Sequence, residues 1–98
     1  MSRKRGFRVS DESIVETIIQ MCTAEDVDGQ VRPEDVAIEL HPADWQSLLK
    51  RIRLTSRQLA EAGHIHILRK GKPVDPNDFK GVYRLRITPY FFEHVVGD

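Results

Sequence analysis

A chain of 98 residues is long enough for one hydrophobic core and too short for two. Hydrophobic residues make up 40% and charged residues 31%, which excludes a disordered chain; apolar runs of only a few residues exclude a membrane-spanning helix and argue for no membrane partner. Fifteen basic side chains balance fifteen acidic ones, so net charge supplies no attraction to a polyanion and only the arrangement of charge can do so.

That arrangement is uneven. Arg3, Lys4, Arg5 and Arg8 lie in an N-terminal arm, Arg32 stands alone, and ten cations fall between Lys50 and Arg86, where Glu61, Asp75 and Asp78 are the only acids. The segment from Val9 to Leu49 reverses the sign, with ten acids against Arg32. Such a chain predicts a dipolar molecule with one basic face. The basic N-terminus is not followed by the apolar stretch of a signal peptide, and the expectation is a cytoplasmic protein. Cys22, the single cysteine, excludes an internal disulfide, and its spacing from Ile14, Ile18 and Ile19 predicts a core position.

In chain order, Ser10 is placed to cap a first helix that begins with Asp11 and Glu12 and ends near Thr23. Val9 is placed to staple against Ile14, and Ile14, Val15, Ile18, Ile19 and Cys22 recur at helical spacing. Asp28-Gly29 marks a turn and Val31 allows a strand of one or two residues. Pro33 suits the first position of a short second helix with Val36, Ala37 and Leu40 on its apolar stripe, which His41-Pro42 stops. From Pro42 to Ala62 the spacing predicts a continuous third helix about 30 Å long, with Trp45, Leu48, Leu49, Ile52, Ser56 and Leu59 on one face and Gly63 as its left-handed cap. The period then becomes two. Ile65 and Ile67 alternate with His64, His66 and Leu68, Arg69 to Asp78 reads as a long loop, and Tyr83, Leu85 and Ile87 alternate with Val82, Arg84 and Arg86. Behind Thr88-Pro89, the tail from 88 to 98 reads as a short terminal helix. This order predicts an α+β winged helix-turn-helix over residues 10–87: three helices plus a small antiparallel sheet whose hairpin is the wing, after a basic arm at 1–9.

Trp45 with Leu48-Leu49 and Ile52-Arg53, the run Arg69-Lys70-Gly71-Lys72-Pro73-Val74-Asp75-Pro76, and Gly81 with Tyr83-Arg84-Leu85-Arg86 carry a family likeness. On these motifs the chain, from about Ser10 to Ile87, resembles a set of small bacterial winged-helix domains of unknown function. The resemblance implies the fold; it implies no activity, and nothing is carried to the arm or the tail.

The chemistry-bearing residues point to binding rather than catalysis. Of His41, His64, His66 and His94, only His64 and His66 share a strand face, without a Cys, Asp or Glu to complete a metal set, so no metal or cofactor is expected. No phosphate loop or nucleophile elbow is present, and no enzyme is expected. The exposed side of the third helix offers Gln46, Ser47 and Lys50 to base edges and Arg51 and Arg57 to phosphates, with Asp44 and Leu54 counting against that use. Arg69, Lys70, Lys72 and Lys80 cluster around a loop stiffened by Pro73 and Pro76, and Arg84 and Arg86 extend the positive surface. The expectation is a nucleic-acid-binding domain, with double-stranded DNA as the partner. The alternative is a protein-interaction or dimerisation module that uses Leu54 or the tail residues Tyr90, Phe91 and Phe92.

Overall fold

The computed structural model describes residues 8–25, 29–91 and 93. The arm Arg3-Lys4-Arg5, Asp28 and the tail residues Phe92 and His94 to Asp98 lie outside them. Helix α1 spans Asp11–Ala24, α2 Pro33–Leu40 and α3 Leu49–Glu61; a 3-10 helix at Pro42–Leu48 joins the last two, and α4 is the single turn Pro89–Phe91. Strands β1 (Ile65–Arg69), β2 (Lys72–Pro73) and β3 (Arg84–Ile87) form an antiparallel sheet in the order β2-β1-β3, and Val31 adds a bridge to Leu85 on the free edge of β3. The architecture is α+β. None of the described helices is long and apolar enough to cross a membrane.

The first two helices start where local chemistry dictates. The Ser10 hydroxyl accepts the Ser13 amide at 3.0 Å, Asp11 and Glu12 stand at the positive end of the α1 dipole, and Pro33 opens α2 without wasting a donor. Ile14, Ile18 and Cys22, one turn apart, are buried against Val36 and Ala37 of α2, Ile52 of α3 and the inner sheet face formed by Ile65, Ile67, Leu85 and Ile87. Burial in this core pushes the Cys22 thiol up to about 12, with Glu25 adding to the effect.

The region between α2 and β1 departs from the expected continuous helix. Asp44 has φ −148° and ψ 49°, outside the helical region, and the chain from Pro42 to Leu48 winds with three residues per turn before α3 begins at Leu49. Asp44 favours such a break because a short polar side chain competes with helical backbone bonding, and the Ser47 hydroxyl donates to the Asp44 carbonyl at 2.9 Å. The apolar step from Trp45 to Leu48 fits a period of three as well as 3.6, so spacing alone did not separate the two. Thirteen residues give α3 a length of about 20 Å.

Gly63 closes α3 as expected, at φ +88°. Its amide donates to the Ala60 carbonyl and the His64 amide to Leu59, the paired bonds of a Schellman end. The same corner receives the C-terminal segment: the Thr88 hydroxyl donates to the Gly63 carbonyl oxygen and accepts the Phe91 amide, while the Tyr90 ring lies over Gly63.

The expected long loop at Arg69 to Asp78 is in fact two structures. Lys70 and Gly71 both have positive φ, +54° and +79°, as a type I′ turn requires, so β1 folds straight back onto β2 with Leu68 opposite Pro73 and Arg69 opposite Lys72. The chain then makes its excursion from Val74 to Tyr83 before β3 pairs with the other edge of β1. Leu68, expected on the outward face, does lie opposite Arg84 there but is fully buried.

Gly63→Ala tests the corner, since it places a Cβ at positive φ and 3.3 Å from the Tyr90 ring. We expect a loss of about 1–2 kcal/mol in urea unfolding with an unchanged m-value; wild-type stability would mean that the corner relaxes freely.

Candidate nucleic-acid interface

The buried face of α3 carries Ile52, Thr55 and Ser56; its solvent face carries Lys50, Leu54 and Arg57, spaced four and three residues apart and hence in line. Arg53 stands between the two faces. One of its terminal nitrogens donates to the Phe79 carbonyl at 2.6 Å, and its guanidinium lies 4.0 Å from the Phe79 ring centroid and 5.5 Å from that of Tyr83. Phe79 and Tyr83 are buried and meet edge to face at 5.1 Å. Arg53 thus fastens the 74–83 excursion to α3, and between them runs a groove of about 160 Å³ lined by Lys50, Arg53, Leu54 and Arg57 on the helix side and Pro76, Asn77 and Phe79 on the loop side. Three cations and no acid line it.

The predicted residues separate into groups. Lys50 and Arg57 share this groove. Gln46 and Ser47 are exposed on the 3-10 turn that precedes α3, rather than on α3 itself. Arg51 turns away and donates to Asp11 of α1 at 2.7 Å, so its charge is engaged by an acid across the helix pair and is not available to the groove. Arg69, Lys70 and Arg84 line a second hollow on the outer side of the hairpin. Lys72 and Lys80 are exposed, and Arg86 sits opposite His66 on the outer sheet face. His64 and His66 do not assemble a metal site; no group of three or more ligating side chains occurs among the described residues. His64 instead packs against Tyr90 and Phe91, at 5.8 and 5.9 Å between ring centroids. Phe91, expected as a contact for a partner, is 8% exposed and belongs to the core, whereas Tyr90 stays 42% exposed.

Sequence reasoning gave Arg53 no role beyond the Ile52-Arg53 family motif and none to Phe79, which closes the groove. An aromatic between Asp78 and Lys80 in a polar stretch was the available signal, because such a ring seeks burial.

On the outer sheet face, burial and then the neighbouring Arg86 hold the His66 imidazole below its usual range, so it is neutral at pH 7.

The fold and its surface define a small α+β domain with two basic concavities. The chain belongs to the family described as protein of unknown function (DUF3253), whose model matches residues 11–88. No curated protein matches it.

Two measurements test this geometry. Arg53→Lys keeps the charge but loses the planar fork and its stacking, and we expect about 1–2 kcal/mol less stability together with faster hydrogen exchange at the Asp78 amide; unchanged exchange would show that the excursion is held by something else. In an NMR titration His66 should protonate with a midpoint below 6.5, and Arg86→Gln should raise that midpoint only part of the way, because burial remains.

Proposed function

We propose that this domain is a winged helix that binds double-stranded DNA, with α3 in the major groove and the β1-β2 hairpin resting on phosphates. The observation that carries the reading is the solvent face of α3: Lys50 and Arg57 flank an open groove without an acid until Glu61, while the cation on the other side, Arg51, is engaged by Asp11. The order of elements supports it, since two helices, a single bridging residue at Val31 and a third helix precede a hairpin whose basic turn projects at Lys70-Gly71.

The break at Asp44 sharpens the roles. Gln46 and Ser47 precede the first turn of α3, the end of a recognition helix that contacts base edges, and Lys50 follows one turn later. Leu54, half exposed between Lys50 and Arg57, suits apolar contact with a thymine methyl. Lys70 and Lys72 flank Gly71 at the hairpin tip and take the phosphate backbone. A protein partner with an apolar and acidic surface is the second reading, and Leu54 is the observation that favours it.

Fluorescence anisotropy with a labelled duplex tests the proposal. Binding at micromolar protein in low salt is expected, and with about four phosphates contacted the logarithm of affinity should fall with the logarithm of salt at a slope of about −4. Lys50→Glu with Arg57→Glu should abolish binding, and Lys70→Glu with Lys72→Glu should weaken it and shrink the slope by about 2. A duplex that does not bind, or binds both variants like the wild type, overturns the reading.

A further inference from the structure

The hollow on the outer side of the hairpin differs from the α3 groove in shape and chemistry. It has a volume of about 450 Å³, against roughly 300–1,000 Å³ for small-ligand sites, and is walled by Arg69, Lys70 and Arg84 together with Leu68, Val82 and Tyr83. No acid lines it, and none of the three cations forms an ion pair among the described residues, although Arg32 and Arg51 both do.

Each cation is set in place by a specific feature. Arg69 has its Nε shielded from water and bonded to no described partner. Its guanidinium lies over Gly81, where a Cβ would come within 2.9 Å of Nη1, so the glycine is what admits it. Arg84 is oriented by donating to the Tyr83 carbonyl at 3.2 Å. Lys70 holds a left-handed conformation at the first turn position, where Asn, Asp or Gly is usual, so a cation stands at the rim. Beside them Val82 is 71% exposed, an apolar wall without a covering side chain. Two guanidinium forks and an ammonium around a partly apolar hollow match a doubly charged oxyanion attached to an apolar or planar body.

We infer that this hollow is a second binding site, for a phosphomonoester of the nucleoside monophosphate class, with the phosphate between Arg69, Lys70 and Arg84 and the body against Val82. The inference shares Lys70 with the duplex reading but does not rest on α3, which carries that reading.

The test is an amide-shift titration of the whole chain with adenosine 5′-monophosphate, and with adenosine as the uncharged control. The nucleotide should saturate, with shifts gathered at residues 68–71 and 82–84, and adenosine should bind at least about tenfold more weakly. Val82→Glu changes an exposed side chain, leaves the fold intact and places a carboxylate beside the cations; Arg69→Gln removes the unmet donor. Each should weaken the nucleotide by about tenfold or more. Shifts scattered away from the hollow, or a nucleotide affinity untouched by Val82→Glu, overturn the inference. A duplex bearing a 5′-phosphate, compared with one lacking it, distinguishes the terminal phosphate of a nucleic acid from a free nucleotide: only the former source makes the 5′-phosphate shift the same amides. Lys50→Glu with Arg57→Glu separates the two readings, since it should remove duplex binding and leave the nucleotide bound.

Discussion

A guanidinium sandwiched between a helix and two aromatic rings sets the shape of the surface. The 74–83 excursion, with Pro76 near its start and no strand of its own, makes few backbone bonds that would fix its position. Arg53 supplies the missing constraint by holding the Phe79 carbonyl and stacking on the Phe79 ring, while Phe79 and Tyr83 extend the core beneath. Only arginine suits the position, because its planar, weakly hydrated cation tolerates half-burial and uses its edge for a hydrogen bond and its face for a ring at once. A cation is thereby placed between Lys50 and Arg57, and the ring quadrupole and the carbonyl offset the repulsion that three neighbouring positive charges would otherwise exert.

The other end of α3 depends on a second small corner. Gly63 ends the helix, its carbonyl takes the Thr88 hydroxyl, and Thr88 in turn starts the turn that carries Phe91 into the core. Strand β3 leads directly into this corner, so the register that pairs Ile65 with Ile87 is fixed at that end by side-chain chemistry, while the Lys70-Gly71 turn fixes the register of β2 on the other edge of β1. Inner-face residues therefore stay inward and Arg84 and Arg86 stay outward, since a slip of one residue would exchange the two sets.

Much of this was readable along the chain because the signals were local. Ser10, Pro33 and Gly63 declare their caps by residue type, and Ile14, Ile18 and Cys22 declare a face by spacing. The failures share a cause: each depended on contacts between distant segments or on two patterns that coincide. The Pro42–Leu48 stretch satisfies a three-residue period and a 3.6-residue period equally, and its break at Asp44 is a backbone choice that hydrophobic spacing does not record. Lys70-Gly71 is a hairpin turn with lysine where asparagine is usual, so turn chemistry concealed β2. Arg51 and Arg53 look alike two residues apart, yet one meets Asp11 and the other Phe79, partners 40 and 26 residues away in sequence. Which cations are engaged by the fold and which stand open was therefore not legible.

The zero net charge bears on binding through this same distinction. Cations that neutralise acids, Arg32 with Glu34 and Asp35 and Arg51 with Asp11, cancel charge within the acidic helical half, while Lys50, Arg57, Arg69, Lys70 and Arg84 line concavities without acids. The molecule measures 41 × 35 × 22 Å, whereas exposed charges at physiological salt act over about 8 Å. In the proposed duplex complex a phosphate chain against α3 would feel the cations lining the groove together with the exposed Asp75 and Asp78 of the adjoining excursion, and less of the acids of α1 and α2. Total charge governs behaviour at long range and low salt; at working salt the local set decides, and the linings of the two concavities carry cations and no acid.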